Sequence, residues 1–389
     1  MQHDTTGAPI APLLITFGGV LLCAALARPL SRLSRLPQVT LLILLGLAAG
    51  PLGLNALPEQ HTEWYPALSE ATLALVGFSL GGEFTLSALR ARGRAVLWVS
   101  VLVTLCTFLC VLAGAWAAGV ALPVALILGS AATATDPAAC QSVAREGGAD
   151  GPVTRLLLGV VAVDDLWGVM VFSGVMALLS GPEGGGLLSG LAEIGLSLAL
   201  GALLGALLAV SVGWLKEEEP ARAEVVGAVL LAAGLAHRYH LSYLLVAVAM
   251  GAAVANRSAA RERALREVDP LEQLLLALFF TLSGASLNLS SARAALPLAG
   301  LYVGLRVLGR LLGAAASVRL TDVGTRRGAW LGLALLPQAG VALGMTLVAS
   351  ARAPEAGAQA LAVVVLGTVL FEVVGPIFTR AALRRFGEL

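Results

Sequence analysis

Apolar runs long enough to cross a membrane, parted by short stretches of proline, glycine and charge, recur from one end of the chain to the other. The pattern predicts thirteen helices, near residues 12–28, 38–55, 66–89, 95–119, 121–144, 153–180, 187–214, 223–237, 240–256, 270–288, 296–318, 326–350 and 358–380. A crossing needs roughly 20 apolar residues, so the expectation is an all-α polytopic membrane protein with short loops. The two shortest runs, 223–237 and 240–256, are joined through His237-Arg238-Tyr239-His240, read here as an outer loop.

Two of the runs are interrupted. The fifth contains Thr133-Ala134-Thr135-Asp136-Pro137, and the twelfth contains Leu336-Pro337-Gln338-Ala339-Gly340. They lie seven runs apart, and an odd offset reverses the orientation of the second copy. That is the inverted-repeat plan of many secondary transporters, with discontinuous helices near the membrane midplane. Helices 1–6 and 8–13 form the two repeats in this reading, and helix 7 links them.

Basic residues orient the chain. With the N-terminus outside, the loops after odd-numbered runs and the C-terminal tail hold twenty Lys and Arg, while the opposite loops hold three, Arg238, Arg293 and Arg352. The expected topology is therefore a plasma (inner) membrane protein with an external N-terminus and a cytoplasmic C-terminus. The first ten residues lack a basic leader, so the first helix is expected to be retained.

Composition agrees with this picture and excludes a soluble enzyme. Hydrophobic residues make up 58% of 389 and charged residues 13%, with mean hydropathy +0.88; a soluble domain carries about 25% charged residues. The 45 glycines suit close helix packing in lipid. A net charge of +1 gives no reason to expect a nucleic-acid partner. The four cysteines, Cys23, Cys106, Cys110 and Cys140, lack metal-site spacing and read as small packing residues. No cofactor is expected, and no nucleotide-binding glycine motif follows a strand-like segment.

The chemistry lies in the few ionisable residues at membrane depth, each of which costs free energy there. They are Glu83, Asp136, Asp164, Asp165, Arg306, Arg310 and Glu372. Asp164 and Asp165 stand side by side halfway along an apolar helix. Mutual repulsion and poor solvation both favour a proton on the pair, and a carboxylate that trades its proton for a cation is an exchange site. Asp136 precedes Pro137, which disfavours helical geometry there. Thr133, Thr135 and Asp136 thus bring carbonyls, hydroxyls and a carboxylate to a broken helix, ligands suited to a hard cation such as sodium; Asp136 also suits capping of the second half-helix. Arg306 and Arg310 are one turn apart and share a face. Each needs a counter-charge, from Asp164, Glu83 or the half-helix C-termini, or else snorkels to the interface. Glu83 either lines the cavity or pairs with an arginine of the next loop. Glu372 reads as a polar group packed against protein.

Ala134-Thr135-Asp136-Pro137, followed by Val163-Asp164-Asp165, resembles the monovalent cation:proton antiporter superfamily, most closely its NapA-like bacterial sodium/proton branch. Phe279-Phe280-Thr281-Leu282-Ser283-Gly284 and Leu308-Gly309-Arg310-Leu311-Leu312-Gly313 are softer matches. The resemblance implies a homodimer whose protomers have a dimerisation part, helices 1–3 and 8–10, and an ion-carrying core, helices 4–6 and 11–13, with two crossed discontinuous helices. It implies elevator-type exchange of sodium, or another monovalent cation, for protons, serving pH homeostasis. The transported cation is placed on Asp165, with Asp164 paired to a basic residue of the core. Paired aspartates in this branch usually accompany a lysine where Arg310 stands, whereas arginine there is similar to electroneutral relatives that commonly carry Asn at the first acidic position. A potassium/proton exchanger or a Kef-like gated efflux pathway is the alternative.

Overall fold

The computed structural model describes residues 10–34, 38–50, 53–54, 65–83, 85, 93–179, 186–214, 221–257, 261–285, 289–317, 328–338 and 340–389. Among these residues there are fifteen helices and no strand. They are α1 (Ile10–Ser34), α2 (Gln38–Ala49), α3 (Tyr65–Glu83), α4 (Gly93–Ala117), α5 (Leu122–Ala131), α6 (Pro137–Gly147), α7 (Pro152–Leu179) and α8 (Gly186–Trp214). After them come α9 (Arg222–Arg238), α10 (Tyr243–Arg257), α11 (Arg261–Ala285), α12 (Leu289–Ser317), α13 (Gly328–Ala334), α14 (Gly340–Arg352) and α15 (Pro354–Phe386). Each of the thirteen apolar runs corresponds to one helix, except the fifth and twelfth, which are split as α5/α6 and α13/α14.

The two breaks have the same local cause. Approaching each proline, the backbone tightens into i→i−3 bonds: Thr133 N to Ser130 O and Ala134 N to Ala131 O before Pro137, Leu335 N to Gly332 O and Leu336 N to Leu333 O before Pro337. Proline supplies no N–H and disfavours helix at the residue before it. The broken segments touch where Asp136 N donates to Pro337 O at 3.0 Å. Prolines also open α6, α7 and α15, where a missing N–H costs nothing. Two helices start earlier than hydrophobicity suggested: α11 at Arg261 rather than near 270, and α12 at Leu289 rather than near 296. In α11 the added turns are polar, and a helix does not end where its apolar stretch begins.

Helices α4–α7 and α12–α15 pack mainly on one another, as do α1–α3 and α9–α11. Helix α8 lies along α10 and also touches α7. Within the first group α4 and α12 approach backbone to backbone. A Cβ added at Gly309 would lie 2.6 Å from Thr107 Cα, and one at Gly313 2.6 Å from Val103 Cα, so only glycine permits this spacing. The outside of the bundle is apolar, with Leu22, Trp98, Leu105, Leu109, Trp116, Leu203, Leu207 and Leu312 exposed. Among the described residues, five helical stretches, 94–117, 152–179, 192–212, 293–317 and 354–386, are long and apolar enough to span a bilayer by themselves. Continuous helices satisfy their backbone internally, as lipid requires; the two breaks do not, and both lie inside protein.

Candidate functional site

Asp164 and Asp165 sit midway along α7 and are both buried, at 0% and 1% exposure. Their surroundings differ. Asp164 Oδ2 accepts from Arg310 Nη1 at 2.6 Å and from Thr135 Oγ1 at 2.5 Å, while its Oδ1 accepts from Thr104 Oγ1 at 2.7 Å. Asp165 Oδ1 accepts a single long bond from Thr135 N, 3.3 Å, and its Oδ2 has no partner among the described residues. One carboxylate is therefore saturated and its neighbour holds an open oxygen. Gly168 lets α7 come this close to the break, since a Cβ there would lie 2.7 Å from Thr133 Oγ1.

Arg306 and Arg310 are fully buried. Arg306 donates from Nε to Ala132 O at 3.0 Å, from Nη1 to Leu336 O at 2.7 Å and from Nη2 to Ala134 O at 2.7 Å. Its guanidinium also stands 4.4 Å from the Phe371 ring centroid. Arg310 Nη2 donates to the carbonyls of Ala132 (3.3 Å), Thr133 and Ala134 (3.1 Å). These carbonyls are the ones a helix leaves unsatisfied at its C-terminus, where the partial charge is negative. The two arginines thus close the ends of α5 and α13, and Arg310 alone also neutralises Asp164. Neither arginine snorkels, because the breaks supply acceptors at depth.

Asp136 caps α6 by accepting from Ala139 N at 3.1 Å. The hydroxyl of Thr133 donates to Ser130 O at 2.6 Å, leaving its lone pairs beside α7. Glu372 of α15 is buried, and its Oε1 has no hydrogen-bond partner among the described residues. Glu83 ends α3, and its side chain lies outside the described residues.

Several participants were not picked out from the sequence. Thr104 of α4 gave no signal within its apolar run. Gln338 Nε2 donates to Ala131 O at 2.8 Å and to Tyr302 Oη at 2.9 Å, tying the two breaks together. Here a signal existed: Tyr302, Arg306 and Arg310 recur every four residues, which places them on one face of α12.

The architecture and the sequence both have known counterparts. The chain superposes on the sodium proton antiporter MjNhaP1 of Methanocaldococcus jannaschii at pH 8, with TM-score 0.80, 18% identity and coverage of 97% of this chain and 100% of the other. An electron-microscopy map of the same antiporter gives TM-score 0.76 and 17% identity, covering 98% and 99%. In sequence it is 26% identical over 331 residues to the ammonium/H(+) antiporter subunit AmhT of Alkalihalophilus pseudofirmus, covering 83% of this chain and 80% of the relative. The transmembrane sodium/hydrogen exchanger family model matches residues 19–385. With nearly the whole chain matched, this multi-pass membrane protein belongs to the sodium/hydrogen exchanger family and is a monovalent cation:proton antiporter.

Proposed function

We propose that this antiporter exchanges one sodium ion for one proton at Asp165, while Asp164 stays ionised as a fixed partner of Arg310. The observation that carries the reading is the contrast between the neighbours: Asp164 accepts three hydrogen bonds, one from a guanidinium, whereas Asp165 Oδ2 accepts none among the described residues. A buried carboxylate with an open oxygen requires either a proton or a cation. Asp165, with the hydroxyl oxygens of Thr133 and Thr135, offers the hard oxygen donors that sodium takes. The carbonyls of the α5 break are held by arginines and serve mainly to anchor them.

A cavity of about 980 Å³ supports an approach from the arginine-rich face. It runs from Arg145, Asp150 and Arg155 along α7 to Ala162, one turn before Asp165. Its mouth is cytoplasmic in the topology set by the basic loops. The exchange cycle then needs α4–α7 and α12–α15 to shift as a body against α1–α3 and α9–α11, with the latter group forming a homodimer. The division of packing between the two groups favours such a movement.

The experiment is cation-driven proton movement in proteoliposomes loaded with a pH dye, run with sodium, lithium, potassium and ammonium. Ammonium is included because the curated relative is named an ammonium/H(+) antiporter subunit. Sodium is expected to drive the largest flux, and its apparent affinity to weaken as pH falls and protons occupy Asp165. Flux driven by ammonium alone, or a sodium affinity independent of pH, contradicts this reading.

A further inference from the structure

The face opposite the cavity mouth carries a group of contacts that the exchange site does not use. Arg352, the last residue of α14, pairs through Nη1 with Glu193 Oε1 of α8 at 3.2 Å and donates from Nη2 to Leu241 O at 3.1 Å, in the turn before α10. Their side chains are only 31% and 18% exposed, so the pair is partly shielded. Beside it, Ser173 of α7 lies 3.4 Å, oxygen to oxygen, from Ser242. Ser242 N in turn donates to Ser197 Oγ at 3.1 Å, and Ser197 Oγ donates to Glu193 O at 2.7 Å. Ser173 and Ser197 are buried.

Each of these bonds, apart from Ser197 to Glu193, joins separate elements. Arg352 and Ser173 belong to the helices that hold the exchange site, Leu241 and Ser242 to the other group, and Glu193 to the helix between them. The contacts gather at one end of the bundle. At the opposite end lies the cavity that reaches Ala162, one turn before Asp165.

We propose that Arg352, Glu193 and the Ser173–Ser242 contact form an outer latch, which holds the ion-carrying helices closed on the external side and must open once in every transport cycle. The proposal rests on the moving-body reading above. A latch of this kind has to be weak enough to break in each turnover. A partly shielded ion pair, one backbone bond and a long hydroxyl contact meet that need, where a fully buried pair such as Asp164–Arg310 does not.

The test places cysteines at the two serines, Ser173→Cys with Ser242→Cys, in the full-length protein. A disulfide requires facing side chains whose Cβ atoms are about 3.8 Å apart. Wild-type protein under the same oxidant controls for the native cysteines. Cross-linking is expected to stop cation-driven proton flux, and dithiothreitol to restore it. Glu193→Gln or Arg352→Gln, each added to the cysteine pair, is expected to slow cross-linking, by at most about fivefold, because loss of a weak ion pair leaves the contact open more of the time. If cross-linking stops transport but neither substitution changes its rate, the latch is overturned and the moving body stands. If the cross-linked protein transports at full rate, both fail. If the pair does not cross-link at all, the two faces do not meet in the membrane and the latch is again overturned.

Discussion

The two helix groups of this antiporter solve the problem of lipid in different ways. In α1–α3 and α9–α11 the helices are unbroken and the close contacts are made by small residues, as where Gly81 of α3 meets the backbone at Val248 of α10. In α4–α7 and α12–α15 two helices are broken at prolines, and the freed carbonyls are taken up by Arg306, Arg310 and Gln338. Charge is held at membrane depth where the helices are broken. Backbone that is not helical supplies acceptors at depth, and those acceptors hold the arginines that in turn hold a carboxylate. The same breaks leave the next carboxylate with an open oxygen.

The largest expected effect breaks that last link. Asp165→Asn keeps the shape and removes the carboxylate proposed to exchange its proton, so cation-driven flux in proteoliposomes should fall to the level of empty vesicles while the protein elutes and unfolds like wild type. Substantial sodium-driven proton movement in this variant would place the exchange elsewhere. Next comes Arg310→Ala, which strands Asp164 as a buried charge. A broken buried pair costs about 3–5 kcal/mol, so the detergent-solubilised protein should lose most of its thermal stability. A melting temperature within error of wild type would mean that Asp164 does not depend on Arg310. The smallest effect sharpens the other side of the comparison. Gly81→Ala pushes a methyl group against the Val248 backbone and should cost about 1–3 kcal/mol, without altering the pH dependence of sodium affinity. A changed pH dependence would show that the two groups do not divide their roles as described.

Much of this contrast was legible in the sequence because proline and charge stand out in apolar runs. Asp136-Pro137 and Pro337 marked the breaks, and adjacent Asp164 and Asp165 marked the candidate site. Threonines were not legible in the same way. Thr104 and Thr107 lie on the same helix, yet Thr107 Oγ1 returns to its own backbone at Val103 O while Thr104 Oγ1 turns to Asp164. A membrane-helix threonine is satisfied in either manner, so composition alone does not say which one serves the site. The half-helix C-termini were legible as partners for the arginines, but the particular carbonyls were not: they are backbone atoms, and only the fold brings Ala132, Ala134 and Leu336 to one guanidinium.

Whether Asp164 is truly fixed decides the number of protons carried. Arginine stays charged under all physiological conditions, so a persistent Asp164–Arg310 pair leaves Asp165 as the one carboxylate that exchanges, giving one proton per sodium. The direct measurement is sodium-driven proton flux in proteoliposomes while valinomycin and graded potassium gradients impose a range of membrane potentials. The account predicts that neither the initial rate nor the end-point shifts with potential, because no net charge moves. A rate and end-point that follow the imposed potential would show that net charge moves in each cycle, and would contradict it.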